Sequence, residues 1–466
     1  MSMGTKPSRD GARVGCGLTG LAAAATMAIV AAGPCAAQTQ VPPRAEAVGA
    51  GPEIDARRDA LFRRMMADPS NLDLAFDYAA LSSQAGDLEA AVATLERMLI
   101  FAPGLPRLQL ELGVLYYRLG ATQTARTYFE AAVSGPDVPQ PVRDRVDVYL
   151  ARLDDADAPS RLDGLVTLGG AYQTNANAAP SSRTIGLNGV DYILDDTFTE
   201  RPDVNGFASL LLNYSHDLPG QGDRLEATFT AYGSLYAERD ELNTALAELT
   251  VGPSFDLGRY GLDDTRLSVY GILGGAVLQA DPYLASGGLG IQASTLIDPQ
   301  LRLTGNLEAR HEAFQDSTDR PTSSDRTGER YNASLAAQYA LSDRTVLFST
   351  LIGERRLADA DYLSYGEVGG VLGVSHSFAS PVAALEAPWT LTLAAGLSGR
   401  WFDEPDRLVG SDEEHDREFF LQATQLVPLR DEWAMQLQAG YRDVASNYDM
   451  RDYDNLRAAI AILKRF

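Results

Sequence analysis

Residues 389–401 read WTLTLAAGLSGRW, and this stretch decides the fold. Every second residue lies on one apolar face that begins and ends in tryptophan: Trp389, Leu391, Leu393, Ala395, Leu397, Gly399 and Trp401. A side-chain period of two is typical of a β-strand. The run exceeds the ~5–6 residues of an ordinary soluble strand and is long enough to cross a bilayer at a tilt. Aromatic residues at both ends fit the two interfaces of a membrane, so the stretch predicts a transmembrane strand.

The same alternation continues through residues 162–466. Residues 433–442 read WAMQLQAGYR and residues 331–341 read YNASLAAQYAL, each with one apolar face. Long connections alternate with short ones, which is typical of an outer-membrane barrel. We predict an antiparallel transmembrane β-barrel of about 14 strands, with 12 or 16 as alternatives. The expected strand centres are Leu168, Leu210, Phe229, Glu248, Tyr270, Gly290, Gly305, Leu335, Phe348, Val371, Ala395, Ala423, Leu437 and Ala459.

Upstream of the barrel, residues 54–157 follow a helical period. Gly86 and Gly120 are 34 residues apart, and the following apolar residues recur at the same spacing. The matched pairs are Ala91 with Ala125, Leu95 with Phe129, and Met98 with Ala132. With Leu112-Gly113 and Tyr116 in the second copy, the pattern resembles the tetratricopeptide repeat. We therefore predict α-helical hairpins followed by a β-barrel, joined by the acidic stretch 154–161.

The N-terminus has the pattern of an export signal. Lys6, Arg9 and Arg13 precede the apolar residues 18–32, and small residues follow up to Ala37. This order predicts a signal peptide over residues 1–37, with an uncleaved membrane anchor as the alternative. Residues 38–53 are then a linker, and the rest of the chain lies in the periplasm and the outer membrane.

Composition excludes several classes of function. The formal net charge is −24, which is opposite in sign to that of a nucleic-acid binder. Two cysteines and four histidines leave little material for a metal site. His311-Glu312 lacks a second histidine at helical spacing, and no nucleophile–base set stands out. We expect no enzyme activity, no cofactor and no metal.

Two sets of residues are candidates for function. The first is the inner wall of the repeats, which is expected to form a groove for a client protein: Phe76, Leu110, Val114 and Tyr117. Packing of this wall against the third helical unit or the next domain is an equal alternative. The second set is out of phase with the lipid-facing side chains and is expected to line the lumen: Arg302, Asn306, Glu308, Arg310, Gln436, Gln438 and Arg442. Its mixed charges argue against strong ion selectivity.

The whole arrangement resembles the surface lipoprotein assembly modulator (Slam) family. The resemblance lies in the signal peptide, the short repeat domain, the barrel ending in Lys464-Arg465-Phe466, and residues 175–180, which read NANAAP after the first strand. It implies an outer-membrane translocator with its helical domain in the periplasm. The implied partners are a client protein encoded nearby (a surface lipoprotein or a haem- or iron-capturing protein), the barrel assembly machinery, and outer-membrane lipid or lipopolysaccharide.

Two other functions remain open. An exopolysaccharide export porin also joins tetratricopeptide repeats to a barrel, although such porins usually carry more repeats and a larger barrel. A general diffusion porin with a periplasmic scaffold domain is the second alternative. The identity of a neighbouring gene, encoding a lipoprotein or a glycan synthase, would separate the first two functions.

Overall fold

A computed structural model describes residues 52–68, 71–219, 222–385 and 387–466. The chain divides between Ala158 and Pro159 into two compact units, a helical unit and a barrel. The expected signal peptide, 1–37, and residues 38–51 of the expected linker lie outside the described residues. Among the helices described, none is long and apolar enough to cross a membrane.

Within residues 52–158, the helical unit contains six helices in sequence. They are α1 (Pro52–Ala67), α2 (Leu72–Gln84), α3 (Leu88–Leu99), α4 (Pro106–Arg118), α5 (Thr122–Val133) and α6 (Gln140–Asp157). Asn71 and Asp87 cap α2 and α3 by accepting hydrogen bonds from the amides of Leu74 and Ala90.

The 34-residue repeat has a direct three-dimensional cause. Gly86 and Gly120 take left-handed φ angles of 84° and 76° immediately after α2 and α4, where glycine has no Cβ clash. The residues that recur at this spacing are all buried: Ala91, Leu95, Met98, Ala125, Phe129 and Ala132. The aromatic ring of Phe129 occupies the space where a Cβ on Gly113 would lie, at 2.5 Å. The repeated spacing therefore places small residues against large ones between successive helices.

Fourteen strands close the barrel, and two short strands, β2 (Thr184–Leu187) and β3 (Val190–Ile193), lie between the first and the second of them. In chain order they are β1 (Ser160–Gln173), β4 (Asp203–Asp217), β5 (Arg224–Tyr236), β6 (Thr244–Asp256), β7 (Thr265–Leu278), β8 (Asp281–Asp298), β9 (Leu301–Phe314), β10 (Gly328–Ser342), β11 (Thr345–Ala358), β12 (Tyr365–Phe378), β13 (Trp389–Phe402), β14 (His415–Pro428), β15 (Trp433–Ser446) and β16 (Tyr453–Arg465). Each pairs with its neighbours antiparallel, and β1 pairs with β16 to close the sheet. All 14 expected centres fall in different strands, so the predicted fold and strand number are confirmed.

A short hairpin inside the first long connection was not anticipated. Strands β2 (Thr184–Leu187) and β3 (Val190–Ile193) form a separate two-stranded sheet. Its turn residues, Asn188 and Gly189, both have positive φ, the signature of a tight two-residue hairpin. The Asn-Gly pair is a hairpin signal in the sequence, but the strands on either side of it are only four residues long, too short to show a clear alternation.

The barrel has two different ends. The end where β1 starts and β16 stops is called the terminal end, and its connections include two-residue turns at 299–300 and 343–344. The opposite end is called the far end, and it carries the long connections 174–202, 315–327 and 403–414. The expected alternation of long and short connections is present with three exceptions: the terminal-end turns at 257–264 and 379–388 are longer, and the far-end turn at 279–280 has only two residues.

The outer face of the barrel is apolar. Leucines at the mid-height of successive strands are more than half exposed, among them Leu335, Leu351, Leu372 and Leu397. Large aromatic side chains lie on the same face near its two edges: Tyr172, Tyr331 and Trp401 toward the far end, and Tyr214, Tyr339 and Trp433 toward the terminal end. An apolar band between aromatic rims is the outer surface of a transmembrane barrel.

Candidate functional site in the barrel lumen

Contacts across non-adjacent strands identify the lumen face. Nη1 of Arg310 on β9 lies 2.5 Å from Oε2 of Glu248 on β6, although β7 and β8 separate these strands. The Tyr270 hydroxyl on β7 lies 2.7 Å from Oδ1 of Asn306 on β9 and 2.9 Å from Oε1 of Glu308. Such pairs can meet only on the concave side of the sheet, so these side chains point into the lumen.

The strand register places all seven sequence-predicted lumen residues on this face. Asn306, Glu308 and Arg310 share one hydrogen-bonded network, in which both Nε and Nη2 of Arg310 donate to Glu308. The other four alternate with the exposed leucines on the outer face of their strands: Gln436, Gln438 and Arg442 with Leu437 on β15, and Arg302 with Leu307 on β9. Arg302 differs from Arg310 because it is exposed, near the terminal end.

The far half of the lumen wall carries a belt of arginine–carboxylate pairs that the sequence analysis largely missed. Arg330 contacts both Glu354 at 2.8 Å and Glu312 at 3.2 Å, and Glu312 is only 4% exposed. The belt continues through three further pairs: Arg356 with Glu312, Arg400 with Glu367, and Arg442 with Glu418. Each of these residues is out of phase with the apolar face of its strand, so the alternation itself was the available signal. Pairing leaves the wall with little net charge.

The terminal half of the lumen wall carries pairs of hydroxyl and amide side chains beside charged residues such as Arg302. Ser375 and Thr392 hydrogen-bond across β12 and β13 at 3.0 Å, and Ser377 and Thr390 do so at 2.9 Å. Similar pairs join Ser294 to Thr304 at 3.1 Å and Thr228 to Asn213 at 3.1 Å. A chain passing along this half therefore meets hydroxyl and amide groups, which donate and accept hydrogen bonds without fixing a charge.

The NANAAP stretch at 175–180 braces the far end. Asn175 is 1% exposed, and its side chain donates to the carbonyl oxygens of Ala179 and Asp454 while accepting from the Ala179 amide. Asn177 donates to the Thr199 carbonyl and accepts from the Arg201 amide. Asn175 thus ties the start of connection 174–202 to β16, and Asn177 ties the two ends of the connection to each other, which gives this motif a structural role.

Connection 403–414 is also held in place at the far end. The Tyr448 hydroxyl donates to the Asp412 carbonyl at 2.7 Å and accepts from the Asp406 amide at 3.1 Å. Glu414 is 6% exposed, and its burial raises the pKa to about 7 although Arg451 lies 3.5 Å away. This carboxyl group therefore titrates near neutrality.

The expected groove residues occupy different environments in the helical unit. Leu110 is 3% exposed and packs in a core with α5 and α6, and Val114 and Tyr117 are partly buried against that core. The Tyr117 ring meets Tyr149 of α6 edge-on at 5.5 Å. Phe76 is half-buried, and the guanidinium of Arg107 lies 4.8 Å from its ring centre. Packing against the third helical unit, the alternative raised from the sequence, therefore accounts for Leu110.

In the ranges that the structure describes, no group of three or more histidine, cysteine, aspartate or glutamate side chains could hold a metal ion. The acidic stretch 412–416 instead contributes to the hydrogen bonds of the far-end connections.

Comparisons with known proteins cover the two units separately. A family model described as "Tetratricopeptide repeat" matches residues 78–153 and so accounts for the helical unit alone. No curated protein matches the chain. The helical unit therefore contains tetratricopeptide repeats, as the spacing of its glycines predicts.

Solved structures resemble each unit at low identity. A bacterial polysaccharide outer membrane secretin aligns over 65% of this chain and 98% of its own, with 11% identity and a TM-score of 0.36. The outer membrane channel DcaP of Acinetobacter baumannii aligns over 66% and 97%, with 11% identity and a TM-score of 0.37. PcrH in complex with the chaperone binding region of PopD aligns over 23% and 82%, with 15% identity and a TM-score of 0.21. At these values the likenesses carry no argument about function.

The barrel fold, its outer surface and its lumen together indicate where this protein is located. A closed antiparallel barrel with an apolar outer band and a polar lumen is suited to a bilayer, because both edges of each barrel strand are paired and the band that would meet lipid is apolar. The protein is an outer-membrane β-barrel that carries tetratricopeptide repeats.

Proposed function

We propose that this protein is an outer-membrane translocator that carries client proteins from the periplasm to the cell surface. The observation that carries the proposal is the joining, in one chain, of tetratricopeptide repeats with a barrel whose lumen wall is polar and internally charge-paired. Repeats of this kind bind polypeptide segments along their inner wall. A polar wall lets a polypeptide cross without exposing its backbone to lipid.

The proposed orientation puts the terminal end and the helical unit in the periplasm. The long far-end connections then face the outside, as in bacterial barrels generally. The barrel assembly machinery would recognise the end of β16, where the backbone of Phe466 exchanges two hydrogen bonds with Gly164. The apolar band would contact outer-membrane lipid and lipopolysaccharide. Because transport of a client requires no chemical reaction in the barrel, we propose no catalytic residue and no cofactor.

The charge belt favours passage of a polypeptide without selection by charge. Each lumen arginine in the belt already has a carboxylate partner within 3.2 Å, so it presents little free charge to a passing chain. A client that carries both lysine and glutamate would meet no long-range barrier. In this proposal the lumen provides the passage for the client, and the repeats select which protein enters it.

The exposed part of the repeat wall is the place to test selection. Ala80 on α2 lies one helical turn after Phe76, on the same face, and is exposed, so a substitution there leaves the helical core intact. We expect Ala80→Glu to lower surface display of the client, because it adds bulk and charge to the wall. Thr127→Glu, at an exposed position of α5, is the matched control and should leave display unchanged.

The measurement is surface labelling of the neighbouring gene's product in intact cells, with the barrel quantified in the same samples. A deletion of residues 52–157 should abolish display while the barrel still inserts. Normal client display in that deletion, at normal barrel levels, would contradict the proposal.

Export of a polysaccharide is the second candidate, and the hydroxylated terminal half of the lumen favours it. Pairs such as Ser375 with Thr392 and Ser377 with Thr390 offer hydrogen bonds suited to a chain of sugar hydroxyls. The same deletion strain separates the two functions. Loss of surface glycan with normal display of the protein client would support export of polysaccharide.

A further inference from the structure

The hairpin β2–β3 is built into the far end with only one of its edges covered. Ile185 of β2 is 4% exposed and anchors the hairpin. The Gly186 amide, on the outer edge of β2, donates to Oδ2 of Asp449 at 2.8 Å. The Asn188 amide at the tip donates to the Val409 carbonyl at 2.8 Å, and its side chain donates to the Arg407 carbonyl at 3.1 Å. Connections 403–414 and 447–452 therefore hold β2 and the tip.

The opposite edge, formed by β3, is open. The pairs Leu187 with Val190 and Ile185 with Tyr192 enclose the turn and use the hydrogen bonds of the hairpin. Asp191 and Ile193 alternate with them, so their backbone N–H and C=O groups point away from β2. No hydrogen bond within the described residues uses the amides of Asp191 and Ile193.

The side chains along this edge are apolar and accessible. Val190 is 53% exposed, Tyr192 is 50% exposed and Ile193 is 80% exposed. Leu408, in the connection that holds the hairpin tip, is 83% exposed. An exposed strand edge with apolar side chains invites another strand, and proteins usually protect such edges. This one carries no lysine or proline and no covering segment among the described residues.

The surroundings of the edge determine what kind of strand it would accept. Asp191 lies on β3 itself and is exposed, whereas Asp196, three residues after β3, is paired with Arg183 at 2.6 Å. Connection 403–414 reads DEPDRLVGSDEE, with six acidic residues against Arg407. Pairing of β3 with β3 of a second copy would bring these like charges together, which is unfavourable. A basic partner gains from the same charges.

We propose that β3 is a docking edge that adds an extended, basic and alternately apolar polypeptide segment as a third strand. Backbone groups of Asp191 and Ile193 bind the segment. Val190 and Tyr192, which share one face of β3, contact its apolar side chains, and the acidic residues attract its cations. That the segment belongs to a client protein which has reached the far end rests on the proposed function. That β3 binds such a segment does not depend on it.

The test uses the full chain in lipid nanodiscs and a labelled synthetic peptide of alternating lysine and valine. A second peptide with the same side chains, N-methylated at alternate residues, keeps the charge but lacks the donors that pair with a strand edge. Fluorescence anisotropy should show at least about tenfold tighter binding of the unmodified peptide. Hydrogen exchange should show new protection at residues 190–194 only with that peptide.

Two variants locate the effect. Ile193→Pro removes an N–H that the hairpin does not use, and proline is tolerated at sheet edges. The Ile193→Pro variant should bind both peptides equally weakly. The Ile193→Ala variant, which keeps the N–H, should retain most of the preference for the unmodified peptide. Equal binding of both peptides by the unaltered chain, protection elsewhere, or a dimer of the chain in its place would overturn the proposal.

Peptide binding needs no passage through the barrel, so the result is independent of the translocation test. Loss of client display in the deletion strain together with equal binding of both peptides would reject only the docking edge. Normal display with selective peptide binding would reject only the proposed function.

Discussion

The helical unit and the barrel bury opposite kinds of side chain. The helical unit encloses Phe129, Leu95 and Leu108 at 2% exposure or less. The barrel turns Leu335 and Leu372 outward and encloses Arg330 and Glu312. Both follow from amphipathic patterns, one of period 3.6 and one of period 2. The difference teaches that an apolar face marks the surface hidden from water, which is a protein core in one unit and lipid in the other.

The largest expected effect is in the helical unit. Phe129→Ala should lower the free energy of unfolding of a 52–158 fragment by about 3–5 kcal/mol, because the ring is fully buried and stacks on Tyr149 at 5.0 Å. The two cores of the unit lie wholly within this range, so the fragment should fold alone. Thermal unfolding followed by circular dichroism is the measurement.

The control for that substitution is Phe101→Ala, at a side chain that is 53% exposed. It should change stability by no more than about 0.5 kcal/mol. Equal losses from the two substitutions would mean that the helical unit has no dry core, and the comparison with the barrel would fail.

The next effect distinguishes the two faces of one barrel strand. Leu335 points outward at mid-height, so Leu335→Arg should destabilise the barrel by about 2–4 kcal/mol in a bilayer. Ser334 is the neighbouring residue and faces the lumen opposite Asn306 and Ile352, so Ser334→Arg should cost much less. Denaturant titration in vesicles, read by the mobility of unheated samples in SDS gels, compares the two. Similar costs would contradict the assignment of faces.

A smaller effect is expected inside the charge belt. Arg330→Gln leaves Glu354 without its cation and Glu312 with Arg356 alone. We expect a loss of about 1–3 kcal/mol, since these side chains are only partly exposed to water. Arg302→Gln is the matched control because Arg302 is exposed and outside the belt. The same vesicle titration applies, and an equal effect of both substitutions would show that pairing does not stabilise the wall.

The smallest effect is local and depends on pH. Burial raises the pKa of Glu414 to about 7, above its ordinary value near 4.5, so the folded state holds the proton more tightly than the unfolded state. Its contribution to stability is fully present below about pH 4.5 and is lost as the pH rises through about 7. Connection 403–414 should therefore open more readily at pH 8 than at pH 6.

Hydrogen exchange of the Phe402 amide, which donates to the Glu414 carbonyl at 3.1 Å, reports that opening. Glu414→Gln should remove the difference between pH 6 and pH 8 after correction for intrinsic exchange. A pH dependence that survives the substitution would assign it to another group.

The sequence by itself determined the architecture. Alternation in stretches such as 389–401 located all 14 strands, and the spacing from Gly86 to Gly120 located the repeats, because the periods of strand and helix are fixed by backbone geometry. The same alternation assigned Asn306, Glu308 and Arg310 to the lumen face. Local rules of this kind need no knowledge of distant residues.

Only the tertiary structure decided which side chains meet. Arg310 reaches Glu248 across two intervening strands, and Leu110 is covered by α6 rather than left in a groove. The hairpin β2–β3 is held by Asp449 and Val409, which lie more than two hundred residues away in the sequence. Such contacts depend on barrel closure and helix stacking, which bring together residues whose separation along the chain carries no periodic signal.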